Sequence, residues 1–172
     1  MRELSNKLID KNKIMNKQEN SKKTDSSNEL YTVLPVVEKG VREVRGQIVT
    51  FDFDSTLSHK IVQDFAKSLM LKGVEVLVLT SRYDELHKHK YRHNPTNEDL
   101  YKVTDRLGID RTKIRFQCMR PKAEYLFGTN VIWHLDDDYV EVNEINSQTE
   151  TKGIDVTLKG WKKECKSILG IE

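Results

Sequence analysis

In this 172-residue chain, an apolar run that lies within the first third of the sequence is followed directly by side chains that carry oxygen atoms. The run 48–51 ends in two aspartates one residue apart, Asp52 and Asp54, and then in two hydroxyl side chains, Ser55 and Thr56. A short apolar run between polar residues predicts a buried strand. Because ligands of parallel sheets bind beyond the carboxyl ends of the strands, we expect both aspartates at the mouth of a crevice.

Further along the chain, hydroxyl and charged side chains follow two more apolar runs and begin a predicted short helix. They are, in chain order, Thr80, Ser81 and Arg82 after the run 74–79, Lys122 at the start of a predicted short helix, and Asp136, Asp137 and Asp138 after the run 131–135. Crowded carboxylates repel one another unless a cation lies among them, and hard oxygen ligands favour Mg²⁺. A carboxylate beside Mg²⁺ can attack phosphorus, while hydroxyl and ammonium groups bind the phosphoryl oxygens.

An alternation of apolar runs and amphipathic segments is expected to position these side chains. The predicted strands are 48–51, 74–79, 114–118, 131–135 and 154–158, and the predicted helices are 60–72, a segment capped by Thr96 and ending before Gly108, 121–127, 140–145 and 161–169. Strand, helix and strand in succession form a right-handed parallel crossover, which places Thr80 on the same rim as Asp52. The chain is therefore predicted to be a three-layer α/β/α fold with a parallel five-stranded sheet.

Composition predicts one soluble domain with a polar extension. Lys and Arg total 29 and Asp and Glu total 27, and this near balance neither favours nor excludes an anionic partner. Residues 1–30 contain few apolar side chains and are predicted to be a disordered or loosely helical tail. Residues 31–46, interrupted by Pro35, form a predicted lead-in segment, and 47–172 form the predicted domain.

Cellular location is inferred from the apolar runs and the cysteines. No run approaches the ~20 residues of a membrane span, and Met1 is not followed by a stretch typical of signal peptides. We therefore expect a cytoplasmic protein that does not bind a membrane. Cys118 and Cys165 are far apart in sequence and are interpreted as unpaired structural thiols.

Taken together, the four polar groups resemble the motifs of a known superfamily. Asp52-Phe53-Asp54-Ser55-Thr56, Thr80 after an apolar strand, Lys122, and the pair Asp136-Asp137 are similar, in order and spacing, to the four motifs of the haloacid dehalogenase superfamily. The resemblance covers residues 47–158. It implies a haloacid dehalogenase-like (Rossmannoid) fold and a Mg²⁺-dependent phosphatase that works through an aspartyl-phosphate.

The resemblance also implies a role for each matching residue. Asp52 would be the nucleophile and a Mg²⁺ ligand, and Asp54 the general acid and a member of the metal site. Thr80 would donate a hydrogen bond to the phosphate, and Lys122 would stabilise the phospho-enzyme. Asp136 would hold Mg²⁺, with Asp137 or Asp138 as the second acid. The expected substrate contacts near the site are Ser55, Thr56, Ser81, Arg82 and His59.

Short intervals between the motifs bear on the substrate. Thr80 follows Asp52 by 28 residues and Lys122 follows Thr80 by 42, which leaves no room for a cap domain. An open crevice suits a large substrate, or one clamped by a second copy in a homo-oligomer. A looser likeness to the phosphatase half of polynucleotide kinase-phosphatases makes a nucleotide or a nucleic-acid end, such as a 3′-phosphate, the leading substrate class.

The segment 82–93 is the strongest basic patch of the sequence. Lys88, Lys90 and Arg92 are predicted to contact the phosphates of such a substrate, although the segment is also compatible with a plain exposed loop. A zinc site at His87 and His89 is disfavoured, because the sequence shows no further ligand nearby.

Other interpretations of the same residues stay open. The acidic run after residue 135 is also typical of a solvated surface. Receiver domains combine similar residue types in a different order, which disfavours that hypothesis. A phosphatase of a small metabolite, and a catalytically silent module that binds phosphate or a partner, are the two alternatives to a nucleotide phosphatase.

Overall fold

The computed structural model describes residues 44–87 and 96–171, in which five strands alternate with five α-helices. The elements are β1 (Ile48–Phe51), α1 (Lys60–Leu71), β2 (Glu75–Thr80), α2 (Glu98–Leu107), β3 (Ile114–Phe116), α3 (Lys122–Leu126), β4 (Val131–Asp136), α4 (Tyr139–Gln148), β5 (Lys152–Asp155) and α5 (Trp161–Leu169). The predicted tail 1–30, most of the lead-in segment 31–46, and Lys88, Lys90 and Arg92 lie outside the described residues.

All five strands belong to one parallel sheet with the order β3-β2-β1-β4-β5. β1 is central, and Phe51 at its end is paired with Val78 of β2 and with Leu135 of β4. Strands covered on both faces read as nearly continuous apolar runs, which is why the strand positions could be recognised in the sequence. The predicted α/β fold with a parallel five-stranded sheet is confirmed.

Two apolar clusters hold the helices on the sheet. The larger contains buried residues of α1, α2 and α5 and centres on Trp133, whose ring meets Phe51 edge-on at 5.2 Å and stacks on Phe65 at 6.4 Å. The smaller contains residues of α3 and α4. Neighbouring residues of β2 join different clusters, Val78 the larger and Leu79 the smaller. Since successive side chains of a strand point to opposite faces, the two clusters form the interfaces of a three-layer fold.

Several element boundaries differ from the predictions. β3 ends at Phe116 and not at residue 118, α4 covers Tyr139–Gln148 and not 140–145, and β5 begins at Lys152 and not at residue 154. β5 ends at Asp155, not at residue 158, because the Asp155 side chain accepts hydrogen bonds from the amide and hydroxyl of Thr157 and turns the chain. Asn97, not Thr96, precedes the first residue of α2, and the Thr96 carbonyl accepts a hydrogen bond from Arg82. The predicted cap was therefore wrong by one residue, because the Thr96 carbonyl takes part in a tertiary contact.

Candidate active site

The ends of three neighbouring strands bring the predicted acids together. Asp52 follows β1, Thr80 ends β2 and Asp136 ends β4, and β1 lies between the other two. The Asp52 amide donates to the Leu135 carbonyl at 2.8 Å, which extends the ladder of β1 by one residue. Both carboxyl groups are thereby fixed by the sheet at its carboxyl edge.

A buried ammonium group lies between these two carboxylates. Lys122 is the first residue of α3, and its Nζ donates to Asp52 Oδ1 at 2.7 Å and to Asp136 Oδ2 at 2.6 Å. Only 3% of the Lys122 side chain is exposed. The Lys122 amide donates to Glu141 of α4 at 3.0 Å, which fixes the start of α3. The structure thus places Lys122 between the two predicted acids.

Three acids form a cluster that could hold a metal ion. One carboxylate oxygen from each of Asp52, Asp136 and Asp137 lies within 4.8 Å of the others. The Thr56 hydroxyl donates to Asp137 at 3.3 Å. Asp138 instead caps α4 by accepting from the Val140 amide at 2.8 Å, so Asp137 is the second acid of the cluster.

The donor set of this cluster suits a hard divalent cation. When all three acids are deprotonated they carry three negative charges against the one positive charge of Lys122, and all potential ligand atoms are oxygens. Crowded carboxylates require compensation, and oxygen-only sites favour Mg²⁺ over softer metals. The residues present therefore fit Mg²⁺.

A neutral histidine supports the cluster from inside the protein. His134 is fully buried, and this burial lowers its pKa, so the ring carries one proton. Its Nε2 lies 2.8 Å from Asp136 Oδ2, and its Nδ1 lies 2.8 Å from the Thr50 hydroxyl. A carboxylate can only accept, so the proton is assigned to Nε2 and Thr50 donates to Nδ1. The chain of hydrogen bonds fixes the orientation of Asp136.

His134 is a packed core residue of β4 whose two ring nitrogens both have hydrogen-bond partners, one of them the site residue Asp136. His134 and Asp136 are two residues apart in β4, and side chains at that spacing point to the same face of a strand. That spacing was the signal in the sequence that could have revealed the pair.

The two carboxylates bound to Lys122 differ in their proton affinity. Burial raises the pKa of Asp52 to about 7, with Lys122 opposing the rise and Asp136 adding to it. Burial also acts on Asp136, but the His134 hydrogen bond and the Lys122 ammonium hold its pKa below the ordinary value. Burial disfavours charged Lys122, yet the two acids raise its pKa. Asp136 and Lys122 are thus the charged pair, and a cation beside Asp52 would favour its deprotonated form.

Asp54 lies outside the acidic cluster and is held by an arginine. Arg82 Nε and Nη2 donate to the two oxygens of Asp54 at 2.8 and 2.6 Å. The same guanidinium donates to both oxygens of Asp99 at 2.7 and 2.9 Å, and it lies 4.7 Å from the centre of the Phe53 ring. A hydrogen bond from Arg82 lowers the pKa of Asp99. The Asp54 side chain is thus bound to Arg82 and is not one of the three acids whose oxygens lie within 4.8 Å of one another.

The contact of Asp99 with Arg82 was not predicted from the sequence. Arg82 follows β2, whereas Asp99 lies in α2 beyond a long loop. Their 17-residue separation in sequence carries no periodic signal, so the ion pair is visible only in three dimensions.

The other residues predicted to contact the substrate differ in how deeply they are buried. Thr80 is buried, and its hydroxyl accepts from the Arg82 amide at 3.3 Å, which leaves the hydroxyl proton for another partner. Ser55 is exposed in a left-handed conformation with φ 54°, Ser81 is half-buried, and His59 is exposed directly before α1. The structure therefore places Thr80 and Thr56 inside the site, and Ser55 and His59 at the surface.

The chain was compared with protein-family models and with curated proteins. No protein-family model matches it, and no curated protein matches it either. Among the residues that the structure describes, no helix has the length and apolar character needed to cross a lipid bilayer.

Proposed function

We propose that this protein is a Mg²⁺-dependent phosphatase that hydrolyses a phosphate monoester through an aspartyl-phosphate on Asp52. The observation that carries the proposal is the buried Lys122 ammonium shared by Asp52 and Asp136, with Asp137 beside them. Acids and a lysine gathered at the carboxyl edge of a parallel sheet are suited to phosphoryl transfer, in which catalysis is mostly positioning and charge stabilisation.

Asp52, Asp136 and Asp137 are the residues that would hold Mg²⁺. When bound, the ion would neutralise the excess negative charge and polarise the phosphoryl oxygens. Lys122 supplies a second positive charge, and its hydrogen bond fixes Asp52 Oδ1, so that Oδ2 is the oxygen available for attack. The Thr80 hydroxyl can donate to a phosphoryl oxygen.

The reaction proceeds in two displacements at phosphorus. Asp52 Oδ2 forms a bond to phosphorus while the bond to the ester oxygen breaks, and that oxygen takes a proton from Asp54. Asp54, now a carboxylate, removes a proton from water. The water oxygen then bonds to phosphorus, the bond to Asp52 breaks, and inorganic phosphate leaves with Asp52 restored.

The two hydrogen bonds from Arg82 to the Asp54 carboxylate, here called the arginine clamp, determine how Asp54 can take part in proton transfer. Both Asp54 oxygens are bonded to Arg82, so one of them has to leave the clamp before it can carry or receive a proton. Asp99 binds the same guanidinium through two further hydrogen bonds. Arg82 is therefore held in place while Asp54 moves, and Asp99 acts as a positioning residue.

We propose a nucleotide or a polynucleotide end as the substrate. The support comes from the sequence, in which the basic segment with Lys88, Lys90 and Arg92 follows β2 and hence the residues of the site. Phosphate-rich ligands bind to such clusters of basic side chains.

A panel of phosphate esters tests the function and the substrate class together. It contains 3′- and 5′-phosphorylated oligonucleotides, free nucleotides, and small sugar and amino-acid phosphates, each assayed with Mg²⁺ and with EDTA. We expect Mg²⁺-dependent release of phosphate, with the highest kcat/KM among the nucleotides or oligonucleotides. Activity that survives EDTA would overturn the role of the metal, and preference for a small metabolite would overturn the substrate class. Inactivity across the whole panel would favour the binding module.

Asp54→Asn is expected to slow the hydrolysis of alkyl phosphates by about 10²–10⁴-fold, the usual contribution of a general acid. With p-nitrophenyl phosphate, whose leaving group needs no proton, the first displacement should survive and the second should be slow. Rapid mixing should therefore show a burst of one nitrophenolate per enzyme.

The matched control for this variant is Asp64→Asn, which changes an exposed aspartate of α1 paired with Lys60 at the surface. It should leave both substrates unaffected. Equal losses on both substrates without a burst would contradict the assignment of Asp54 as the proton donor.

A further inference from the structure

A second group of metal-ligating side chains lies apart from the acidic cluster. Asp84 and His87, in the loop after β2, and Cys118, in the loop after β3, each offer one ligand atom, and these three atoms lie within 4.8 Å of one another. Asp84 Oδ1 lies 2.6 Å from His87 Nδ1 and also accepts from the His87 amide at 2.9 Å. The group thus joins an oxygen, a nitrogen and a sulfur donor.

Backbone contacts bring the cysteine to the other two residues. The Cys118 amide donates to the Arg82 carbonyl at 3.1 Å, and the Met119 amide donates to the Ser81 carbonyl at 2.8 Å. Cys118 and Met119 have left-handed conformations, with φ of 53° and 64°. Such conformations are unfavourable for residues other than glycine and persist where the surroundings impose them. The fold therefore fixes the Cys118 thiol beside the loop of Asp84 and His87.

We propose that Asp84, His87 and Cys118 bind Zn²⁺ or a similar soft divalent ion. Carboxylate, imidazole and thiolate are the three ligand types that zinc uses in proteins. The charges of one carboxylate and one thiolate balance those of a divalent ion. Three protein ligands leave one tetrahedral position for water.

Solvent can reach this group, and its chemistry differs from that of the acidic cluster. The His87 and Asp84 side chains are 50% and 32% exposed, so an ion can enter directly from water. Binding of the metal ion would replace the hydrogen bond between Asp84 and His87, and the Cys118 thiol has to lose its proton to become a ligand. The bound ion would tie the loops after β2 and β3 together next to Arg82.

Sequence reasoning could not find this set of ligands. A site at His87 was disfavoured for want of further ligands, and Cys118 lies 31 residues away in the sequence. The parallel pairing of β2 with β3 places the ends of the two strands, and hence the two loops, side by side.

Cobalt titration of the full chain tests the proposal. Metal-free protein is titrated with Co²⁺ in excess Mg²⁺, which is added to compete for the acidic cluster, and the thiolate-to-Co²⁺ charge-transfer absorption is recorded. We expect one equivalent of Co²⁺ to produce the band, Zn²⁺ to remove it, and Cys118→Ser to lack it. Asp84→Ala and His87→Ala should bind at least about tenfold more weakly, since even outer-shell partners of ligands contribute that much.

Control variants of another cysteine and another histidine test whether the band comes from these three residues. Cys165→Ser changes the buried cysteine of α5, and His59→Ala changes another exposed histidine; both should retain the band. No band in the wild-type protein, a band that persists in Cys118→Ser, or a band lost in Cys165→Ser would each overturn the proposal. Asp52→Asn should retain the band, so that failure of the phosphatase proposal and failure of the zinc proposal give different results.

Discussion

Asp52→Asn is expected to abolish the hydrolysis of phosphate monoesters, with a fall in kcat of at least about 10⁴-fold. The amide oxygen cannot attack phosphorus as a carboxylate does, so the aspartyl-phosphate does not form. The variant keeps an oxygen that can accept the Lys122 hydrogen bond seen at 2.7 Å, and the fold should therefore survive. Release of inorganic phosphate in Mg²⁺ measures the effect, on the substrate that the wild-type protein hydrolyses fastest.

A second aspartate at the same edge of the sheet provides the control. Asp155 ends β5, and in the contacts that the structure describes its carboxylate hydrogen-bonds only to Thr157. Asp155→Asn should retain most of the activity, and thermal unfolding should show that both variants are folded. Phosphate release that persists in Asp52→Asn would contradict a covalent mechanism on this residue.

The fold was predictable because its strands are apolar on both faces. The runs at β1, β2 and β4 stand out from the amphipathic helices between them, and parallel crossovers put their carboxyl ends on one edge. β5 was harder to place, because its first half contains Lys152 and Gly153. The Asn146 side chain of α4 binds both the amide and the carbonyl of Gly153 at 3.0 Å, a contact with no signature in the sequence.

Some contacts of the candidate site could also be predicted from the sequence, and others could not. The meeting of Asp52, Lys122 and Asp136 follows from strand and helix ends and could be predicted from the sequence. The link between Arg82 and Asp99 could not, since it joins two elements through side chains with no fixed spacing. The position of Cys118 beside Asp84 and His87 could not be predicted either, because the loop that carries Cys118 adopts a left-handed backbone conformation there.

Lys122→Met is expected to destabilise the metal-free protein by about 3–5 kcal/mol, the usual cost of removing one partner of a buried ion pair. The substitution leaves Asp52 and Asp136 facing each other without the ammonium that now lies 2.7 and 2.6 Å from them. Chemical unfolding in EDTA measures the loss. Mg²⁺ should restore part of the stability, since an ion that binds only the folded state stabilises it by mass action. Phosphatase activity should be lost even in Mg²⁺.

Two further variants separate charge from packing at this position. Adding Asp52→Asn and Asp136→Asn to Lys122→Met removes the unpaired charges and should recover most of the stability in EDTA, because neutral groups of similar shape replace the ions. Lys113→Met removes a lysine that pairs with Glu75 at the surface, where each side chain is 41% exposed, and should cost no more than about 1 kcal/mol. If the triple variant were as unstable as Lys122→Met alone, the buried lysine would stabilise the fold by packing, and charge compensation would not explain its position.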